Sequence, residues 1–391
     1  MHAWQRTALG LFLEKHKLIG EVVTGAGKTF FAVRAIKFLL KDHPEFRVLI
    51  IVPKVVILEE SWARELAQAG FGPDRVGAYY GKNKSFSQIT LTTMASLTRL
   101  DHRMFDVVVF DELHNMYGER LSRIASMPFA YKLGLTATLH NPDAKHWNII
   151  PSFDHNIFRY GIKQALKDNI IAKYDFIDVA VNEKLLSFWV AYDEAEQKIR
   201  ELLASIGGMR GFYEMSADNK TRLSLLKWFS KRSRLVHANR TKLECAVELC
   251  VAHTDNRVLV FNEYNDSARE LMVMLSMRGV RSMTFNSANS QTENYRALDE
   301  FRNGTLPVLI GTRALDEGYN LPSLDVVIIM SGNSTRRQMT QRVGRSLRKH
   351  GDKRTTIYQL WLERTIDERN AKKRSELLSE NADSVSMGAF S

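Results

Sequence analysis

Two closely spaced glycines are followed by a lysine and a threonine near the start of the chain. Glycines at positions 25 and 27 allow backbone N–H groups to converge on the oxygens of a phosphate group. Lys28 can bring a positive charge to the outer phosphates of a nucleotide, and the Thr29 hydroxyl can bind Mg²⁺. Val22 stands where the usual pattern has its first glycine. The segment predicts an ATP-binding loop made of Thr24, Gly25, Ala26, Gly27, Lys28 and Thr29.

Two adjacent carboxylates, Asp111 and Glu112, directly follow the apolar run of residues 107–110. That run is typical of a buried strand, so the pair is expected at the carboxyl end of a strand. An aspartate there can hold Mg²⁺ through its water shell, and the glutamate can orient and deprotonate an attacking water. Acidic pairs are common on protein surfaces, but a position downstream of a phosphate loop favours phosphoryl transfer to water.

A third candidate site is the segment of residues 341–348, which contains Gln341, Arg345 and Arg348. Arginines three residues apart lie on the same face of a helix, so both could reach toward a bound triphosphate. There they would stabilise charge on the transferring phosphoryl group. A lone basic helix is more often a solvated face, so this interpretation depends on the two preceding motifs.

The composition indicates a chain with more than one core. Its 391 residues, 45% of them hydrophobic, are enough for two or three domains. Cys245 and Cys250 match no metal or disulfide pattern, so we expect reduced thiols in a core. No charged-then-apolar leader precedes Trp4, and no apolar run approaches the ~18 residues of a membrane span. We therefore expect a cytoplasmic protein without a membrane partner.

The formal net charge of +11 favours a polyanionic partner. No acidic residue occurs between Asp218 and Glu244, and cations accumulate there around Trp228 and Phe229. These cations are Lys220, Arg222, Lys227, Lys231, Arg232, Arg234, Arg240 and Lys242. The stretch could contact phosphates while its aromatic rings stack on bases. It could equally be a solvated helical face whose aromatic rings point into a core.

Short β-branched runs alternate with helical patterns, as in parallel sheets covered by helices on both faces. Buried strands are predicted at residues 47–52, 89–92, 107–110 and 133–135, and again at 258–261, 308–310 and 326–329. The pattern predicts an α/β protein with two doubly wound, parallel-sheet lobes. We place the first lobe at residues 1–181, a helical connecting segment that could contact DNA at 182–234, the second lobe at 235–380 and a frayed tail at 381–391.

The motifs follow the order found in superfamily 2 helicases and translocases, and the chain resembles that family over nearly its whole length. In the first lobe, residues 24–29 resemble motif I, 52–54 motif Ia, 91–93 motif Ib, 111–114 a DExH-type motif II and 136–138 motif III. In the second lobe, residues 260–263 resemble motif IV, 311–322 motif V and 341–348 motif VI. The resemblance implies that both lobes are RecA-like.

The resemblance also implies roles for individual residues. Gln5, beside Trp4, would contact adenine, and Gly318 and Asn320 of motif V would bind the nucleotide. Contacts to the nucleic-acid backbone are implied for Lys54, Thr92, Thr93, Asn262 and Thr312. Coupling of phosphate state to lobe movement is implied for His114, Thr136 and Thr138. The threonines have a local alternative, because their hydroxyls could satisfy nearby backbone groups.

The histidine of motif II, Thr136 and residues 341–351 make the chain similar to the XPB-like and phage recombination helicases, which act on duplex or branched DNA. The resemblance implies an ATPase that uses ATP and Mg²⁺ to unwind, anneal or remodel DNA, in a nucleoid or viral replication setting. An element that recognises a fork is expected in residues 182–234 or on a partner. Two alternatives stay open: a DExH-type RNA helicase, and an ATP-gated clamp or motor subunit that separates no strands.

Overall fold

The computed structural model describes residues 1–97, 99–139, 145–312, 315, 319, 321–330, 347 and 354–390. These residues form two compact units, and each unit has its own sheet. The first unit consists mainly of Met1–Ala172, and the second begins at Lys173. The prediction of two α/β lobes with mostly parallel sheets is confirmed.

The first unit contains an eight-stranded sheet. Its strands are β1 (Lys17–Val22), β2 (Val48–Val52), β3 (Val76–Tyr80), β4 (Asn83–Lys84), β5 (Ile89–Thr93), β6 (Val107–Asp111), β7 (Tyr131–Thr136) and β8 (Ile157–Tyr160). Their order is β4-β3-β5-β2-β6-β7-β1-β8, and all neighbours are parallel except β3 and β4. Strands β2 and β6 are buried along their whole length, as expected for strands covered on both faces.

Seven α-helices accompany this sheet in the described part of the first unit. They are α1 (Ala3–Lys15), α2 (Lys28–Asp42), α3 (Val55–Ile57), α4 (Ala63–Gln68), α5 (Met94–Leu97), α6 (Glu119–Ala125) and α7 (Ile162–Lys167). A π-helical turn, Leu58–Trp62, joins α3 to α4, and short 3-10 turns lie at His102–Met104, Leu113–Met116, Lys145–Asn148 and Ile150–Phe153. Helix α2 buries Ala32, Ala35, Ile36 and Leu39, the spacing of one helical face.

The second unit contains a seven-stranded sheet in which all neighbouring strands are parallel. Its strands are β9 (Tyr174–Val181), β10 (Val258–Phe261), β11 (Ser282–Phe285), β12 (Val308–Gly311), β13 (Val326–Ile329), β14 (Thr355–Leu362) and β15 (Ser384–Phe390). Their order is β11-β12-β10-β13-β14-β9-β15. Its described helices are α8 (Leu186–Ala204), α9 (Met209–Glu214), α10 (Lys220–His237), α11 (Arg240–Ala252), α12 (Asn265–Met277), α13 (Gln291–Asn303) and α14 (Ile366–Ser379). None of the described helices is both long and apolar enough to cross a membrane.

Two of the sequence boundaries need correction. Strand β9 lies within residues 1–181, yet it pairs with β14 of the second sheet, and helices α8 to α10 also belong to the second unit. Strand β15 lies in the predicted frayed tail, yet it pairs with β9 from Ser384 to Phe390. Its side chains, including Val385 and Met387, are mostly exposed, so backbone pairing to β9 holds the strand in place.

The second unit also contains a buried charge cluster, which we define as Lys242, Asp367 and Arg374. Each of the three is at most 1% exposed. Lys242 Nζ lies 2.6 Å from Asp367 Oδ2, and Arg374 Nη2 lies 3.3 Å from Asp367 Oδ1. Arg374 Nε also donates to Gln359 Oε1 at 2.8 Å. The cluster thereby connects helices α11 and α14 with strand β14.

Candidate nucleotide-binding site

Three neighbouring strands of the first sheet end at residues of predicted chemical importance. Strand β1 leads into the phosphate loop, β7 ends at Thr136 and β6 ends at Asp111. The order β6-β7-β1 is parallel throughout, so the carboxyl ends of these strands meet at one edge of the sheet. Ligands bind at such edges in open α/β sheets.

The phosphate loop has the backbone geometry that its glycines predict. Gly25 and Gly27 have φ values of 87° and 89°, in the left-handed region that favours glycine. Helix α2 begins at Lys28, so the N–H groups of its first turn follow directly after the loop. The Lys28 ammonium donates to the Val22 carbonyl at 3.1 Å. The buried Thr24 hydroxyl has no hydrogen bond among the described residues, which fits a loop that binds a ligand.

A cavity of about 540 Å³ joins this loop to the acidic pair. It is lined by Thr24, Gly25, Gly27, Lys28 and Thr29 from the loop, by Asp111 and Glu112, and by Glu60, Ser61 and Arg64 from the segment that includes the π-helical turn and α4. The structure therefore brings together the two motifs that the sequence suggested for ATP and Mg²⁺. Ala26 of the loop is buried and is not among the residues that line the cavity.

Asp111 is held by two hydrogen bonds. Its Oδ2 accepts from Trp62 Nε1 at 2.8 Å, and its Oδ1 accepts from the backbone N–H of Glu112 at 3.1 Å. Burial raises the pKa of Asp111 to about 6, and the neighbouring Glu112 charge adds to the rise. The hydrogen bond from Trp62 and the charge of Lys28 oppose that rise. A carboxylate this strongly desolvated is suited to a positively charged ligand.

Glu112 combines an unusual backbone with an unsatisfied carboxylate. Its φ of 51° lies in the left-handed region, which costs energy for any residue with a Cβ atom. Its Oε2 is buried and forms no hydrogen bond among the described residues. His114 Nδ1 is 3.4 Å from this oxygen, an ion-pair distance without hydrogen-bond geometry. The acceptor is therefore available to a proton donor that enters the cavity.

His114 connects the acidic pair to strand β7. The Thr136 hydroxyl gives its single proton to the Thr138 carbonyl at 2.9 Å and accepts the backbone N–H of Thr138 at 3.2 Å. His114 Nδ1 lies 3.0 Å from the same hydroxyl oxygen, which can only accept from it. With the hydroxyl proton on that carbonyl, His114 Nδ1 is the donor of this contact. The predicted coupling residues thus form one continuous chain of contacts with Glu112.

Gln5 is buried against the phosphate loop. Its Nε2 donates to the Gly27 carbonyl at 3.2 Å, and its Oε1 accepts from the backbone N–H of His2 at 2.8 Å. The side chain is 1% exposed. Gln5 therefore links helix α1 to the phosphate loop.

The predicted nucleic-acid contacts differ in their accessibility. Lys54 is exposed, and Thr93 is nearly buried, with its hydroxyl 3.3 Å from Ser96 Oγ. Thr92 is fully buried and donates to the Tyr79 carbonyl at 2.8 Å, so its hydroxyl satisfies the backbone, as in the local alternative. Asn262 and Thr312 are also buried, at the ends of β10 and β12. Of these five residues, Lys54 is therefore the most accessible to a nucleic-acid strand.

The basic stretch of residues 220–242 is largely neutralised within the second unit. Its described ion pairs are Lys231 with Glu194 at 2.7 Å, Arg232 with Glu196 at 2.7 Å, Arg234 with Asp266 at 3.1 Å, Arg240 with Glu270 at 2.9 Å and Lys242 with Asp367 at 2.6 Å. Phe229 packs edge-on against Phe212 at 5.8 Å, and Lys231 covers the Trp228 ring. These contacts favour the interpretation of a structural helical face over that of a phosphate-binding surface.

The remaining predicted residues lie outside the described part of the chain. They are Gln341, Arg345 and Arg348 of motif VI and Gly318 and Asn320 of motif V. Sequence reasoning also missed a residue, because Trp62 donates to Asp111 from a π-helical turn. Turns of this type are frequent at functional sites, but no sequence pattern links a tryptophan to an aspartate so far along the chain.

Comparisons with known proteins show which families this chain is similar to. Residues 1–141 match the family described as type III restriction enzyme, res subunit, and residues 241–350 match the helicase conserved C-terminal domain. The chain is 27% identical over 390 residues to the DNA 3'-5' translocase XPB2 of Sulfurisphaera tokodaii, an alignment that covers 95% of this chain and 84% of that relative. The chain belongs to the superfamily 2 helicases. Membership of this family implies ATP use.

Solved structures agree with the fold of this helicase. The helicase domain of Pyrococcus furiosus Hef has a TM-score of 0.60 at 18% identity and covers 94% of this chain and 97% of that one. S. cerevisiae Dbp5, bound to RNA and ADP BeF3, has a TM-score of 0.64 at 16% identity. The match covers 99% of this chain and 88% of the Dbp5 chain. Some longer relatives named Rad25 or XPB helicases share only 53% to 63% of their length with this helicase.

Proposed function

We propose that this protein is an ATP-dependent DNA helicase or translocase that moves on duplex or branched DNA and unwinds or remodels it. One observation carries the proposal: a single cavity is lined by the phosphate loop and by the carboxylates of Asp111 and Glu112. The Lys28 ammonium, the hydroxyls of Thr24 and Thr29 and this acidic pair all line that cavity. Hydrolysis of a nucleoside triphosphate requires this combination of groups.

The residues of the cavity have distinct proposed roles. Lys28 and the N–H groups of the loop bind phosphate oxygens, and the Thr24 hydroxyl gains the partner that it lacks. Thr29 and Asp111 would hold Mg²⁺, whose charge neutralises phosphate oxygens when the ion is bound. Glu112 orients the attacking water and accepts its proton, because its Oε2 has no competing hydrogen bond from a described residue.

The second lobe completes the proposed machinery. Gln341, Arg345 and Arg348 of motif VI would stabilise charge on the transferring phosphoryl group, and Gly318 and Asn320 of motif V would contact the nucleotide. The contacts from Glu112 through His114 to Thr136 would transmit the phosphate state to strand β7. Lys54 would contact one nucleic-acid strand without reading its sequence, as a translocating enzyme requires.

Similarity to a protein named DNA 3'-5' translocase supports DNA as the polymer. His114 and Thr136 also support DNA, because these residues resemble those of the XPB-like helicases at the same motifs. The longer relatives share only part of their length with this chain, so their names do not identify the DNA structure that it prefers. We propose duplex or branched DNA. A nucleoid or a viral replication site is the setting that such a substrate implies.

An ATPase panel tests the proposal directly. Purified protein is supplied with single-stranded DNA, duplex DNA, forked DNA or RNA, and ATP turnover is measured against Glu112→Gln as the blank. We expect stimulation by DNA, with forked or duplex DNA equal to or above the single strand. Stimulation by RNA alone would overturn the choice of DNA and favour the RNA helicase.

A second measurement separates a motor from a clamp. A labelled forked duplex reports strand separation, and a protein block bound to duplex DNA reports movement along the lattice. We expect at least one signal to depend on ATP hydrolysis. DNA-stimulated turnover with neither strand separation nor displacement of the block would support the ATP-gated clamp instead.

A further inference from the structure

A second cavity of the first unit, of about 520 Å³, has no part in the proposed chemistry. It is lined by Arg34, Lys37, Phe38, Leu40, Lys41, Ala69, Gly70, Phe71 and Arg75. We name it the α2 basic cavity. Four of its nine described residues are cationic, and none is acidic.

The cations of the α2 basic cavity are arranged on one helical face. Arg34, Lys37, Phe38 and Lys41 stand at positions i, i+3, i+4 and i+7 of helix α2, so they project to the same side. Arg75 closes the cavity from the segment before β3. The Lys37 ammonium donates to the Ala69 carbonyl at 2.6 Å, which ties this face to the end of α4.

The positive charge of the cavity is uncompensated. None of the four cations forms an ion pair with a described acidic residue, whereas most cations of the 220–242 stretch do. Arg34 and Arg75 stack on Phe30 and Phe71, at 4.9 and 5.1 Å from the ring centroids, and Arg75 also donates to the neutral amide oxygen of Gln88. Like charges held together without an anion repel one another, so an acidic ligand would relieve a cost present in the free protein.

An ordinary structural role explains only part of this arrangement. Lys41 lies in the last turn of α2, where a cation favourably opposes the helix dipole. That effect does not require Arg34 in the middle of the helix, nor Arg75 from another segment. It also does not require Phe38, whose ring is 46% exposed between the cations. An exposed aromatic ring surrounded by cations that form no ion pair with a described carboxylate is instead suited to a ligand with both acidic and apolar groups.

We propose that the α2 basic cavity is a docking site for an acidic peptide segment of a partner protein, with an aromatic or aliphatic side chain seated against Phe38 and Phe71. Charge complementarity identifies the acidic residues of the partner, and the apolar part of the lining identifies its anchor. The inference does not rest on the proposed DNA substrate.

Position within the fold separates this site from the catalytic machinery. Residues 34–41 lie ~9–20 Å along helix α2 from Lys28, at a rise of ~1.5 Å per residue. Gly70, Phe71 and Arg75 precede β3, on the side of the amino ends of the strands, whereas Lys54 follows the carboxyl end of β2. The cavity thus lies away from the proposed tracking strand, which favours a peptide over nucleic acid.

Fluorescence anisotropy with a defined probe tests the proposal. The probe is a short labelled peptide of aspartates that ends in phenylalanine, and its partner probe carries serine in place of phenylalanine. We expect the full chain to bind the first peptide, with affinity that falls as salt rises. The serine peptide should bind on the order of tenfold more weakly, because it lacks the apolar anchor.

Matched variants locate the binding. Lys37→Glu with Lys41→Glu should weaken peptide binding by on the order of tenfold or more. Lys163→Glu with Lys167→Glu makes the same charge change at the same helical spacing, on exposed residues of α7, and should leave the affinity unchanged. Phe38→Ser should abolish the preference for phenylalanine. All three proteins should retain wild-type ATP turnover, and the Lys37 and Lys41 variant should melt somewhat lower because it loses the hydrogen bond to the Ala69 carbonyl.

Three outcomes would overturn the proposal. The first is equal loss of peptide binding in both double variants, since that would show attraction to net charge alone. The second is no binding at the highest soluble peptide concentration. The third is displacement of the peptide by duplex DNA, together with loss of DNA binding in the Lys37 and Lys41 variant alone, because the cavity would then belong to nucleic acid.

Discussion

Two regions of the molecule bury charge in opposite ways. In the nucleotide cavity of the first unit, Glu112 Oε2 and the Thr24 hydroxyl are buried without hydrogen bonds among the described residues. In the buried charge cluster of the second unit, both oxygens of Asp367 contact a cation, from Lys242 and from Arg374. One region leaves polar groups unsatisfied, and the other satisfies them within the protein.

The pKa values of the two aspartates express the same contrast. Burial raises the pKa of Asp111 to about 6, and the hydrogen bond from Trp62 only partly opposes the rise. Burial would also raise the pKa of Asp367, but Lys242, His237 and Arg374 outweigh it and hold that pKa at about 2. Desolvation therefore determines the direction of the pKa shift of Asp111, in the proposed ligand site. Ion pairing determines the direction of the shift of Asp367, whose role is structural.

The largest effect is expected from Glu112→Gln. The amide keeps the shape of the side chain but cannot accept a proton from water, so ATP turnover should fall by about 10²- to 10⁴-fold. Stability should be unchanged or slightly higher, because the substitution removes a buried and unsatisfied charge. Steady-state turnover and thermal unfolding check the two halves of this prediction.

Glu59→Gln is the matched control for that variant. Glu59 lies in the π-helical turn but does not line the cavity, and its carboxylate accepts from the Tyr80 hydroxyl at the surface. Its turnover should stay close to wild type. If Glu112→Gln retained wild-type turnover, the proposed role in activating water would have to be abandoned.

Asp367→Ala should produce the opposite result, with a large loss of stability. Removal of this carboxylate leaves Lys242 and Arg374 buried without their partner, which costs ~3–5 kcal/mol in comparable sites. Urea unfolding of the variant measures this loss. Glu248→Ala breaks the solvent-exposed pair with Arg278 and should cost far less stability. Equal losses of unfolding free energy in the two variants would mean that the buried ion pairs contribute no more to stability than the exposed one.

The sequence predicted the nucleotide cavity better than the charge cluster because its signals are local. Glycine spacing, Lys28 and the Asp111–Glu112 pair each need only a few adjacent residues. Lys242 belonged to a basic stretch in sequence, and only the tertiary fold shows that it is fully buried against Asp367. Trp62 was missed for the same reason, since it lies in a π-helical turn and its partner, Asp111, ends strand β6.

The strands divide in a similar way. Central strands such as β2 and β10 are continuous apolar runs, and the sequence predicted them. Strand β15 has the sequence SVSMGAF and is mostly exposed, so it carries almost no hydrophobic pattern. It is held by backbone pairing to β9, and backbone pairing leaves no signature in side-chain composition.

The pH dependence of stability tests the role of Asp367 in the buried charge cluster of the second unit. Because the folded pKa of Asp367 is below its usual value, its contribution to stability is fully present above pH ~4 and is lost as the pH falls toward about 2. The stability gap between wild type and Asp367→Asn should therefore shrink by ~2 kcal/mol over that interval. Urea unfolding at a series of pH values measures the gap. A gap that stays constant would show that the carboxylate is not ionised in the fold.

The smallest effect is expected from Trp62→Phe, which keeps an aromatic ring but removes the hydrogen bond to Asp111. The carboxylate should then be less well positioned, and the Mg²⁺ concentration for half-maximal turnover should rise by about tenfold. Binding of Mn²⁺ in the presence of nucleotide, measured by electron paramagnetic resonance, should weaken to the same degree.

Trp189→Phe provides a matched comparison in the second unit. It removes the same type of donor, because Trp189 Nε1 donates to the Glu183 carbonyl at 2.9 Å. Both variants should lose stability, since each loses a hydrogen bond of a partly or fully buried ring. Only Trp62→Phe should change the affinity for the metal. An equal change of metal affinity in both variants would mean that Trp62 stabilises the fold without positioning Asp111. The contrast between the two regions would then rest on Asp111 and Glu112 alone.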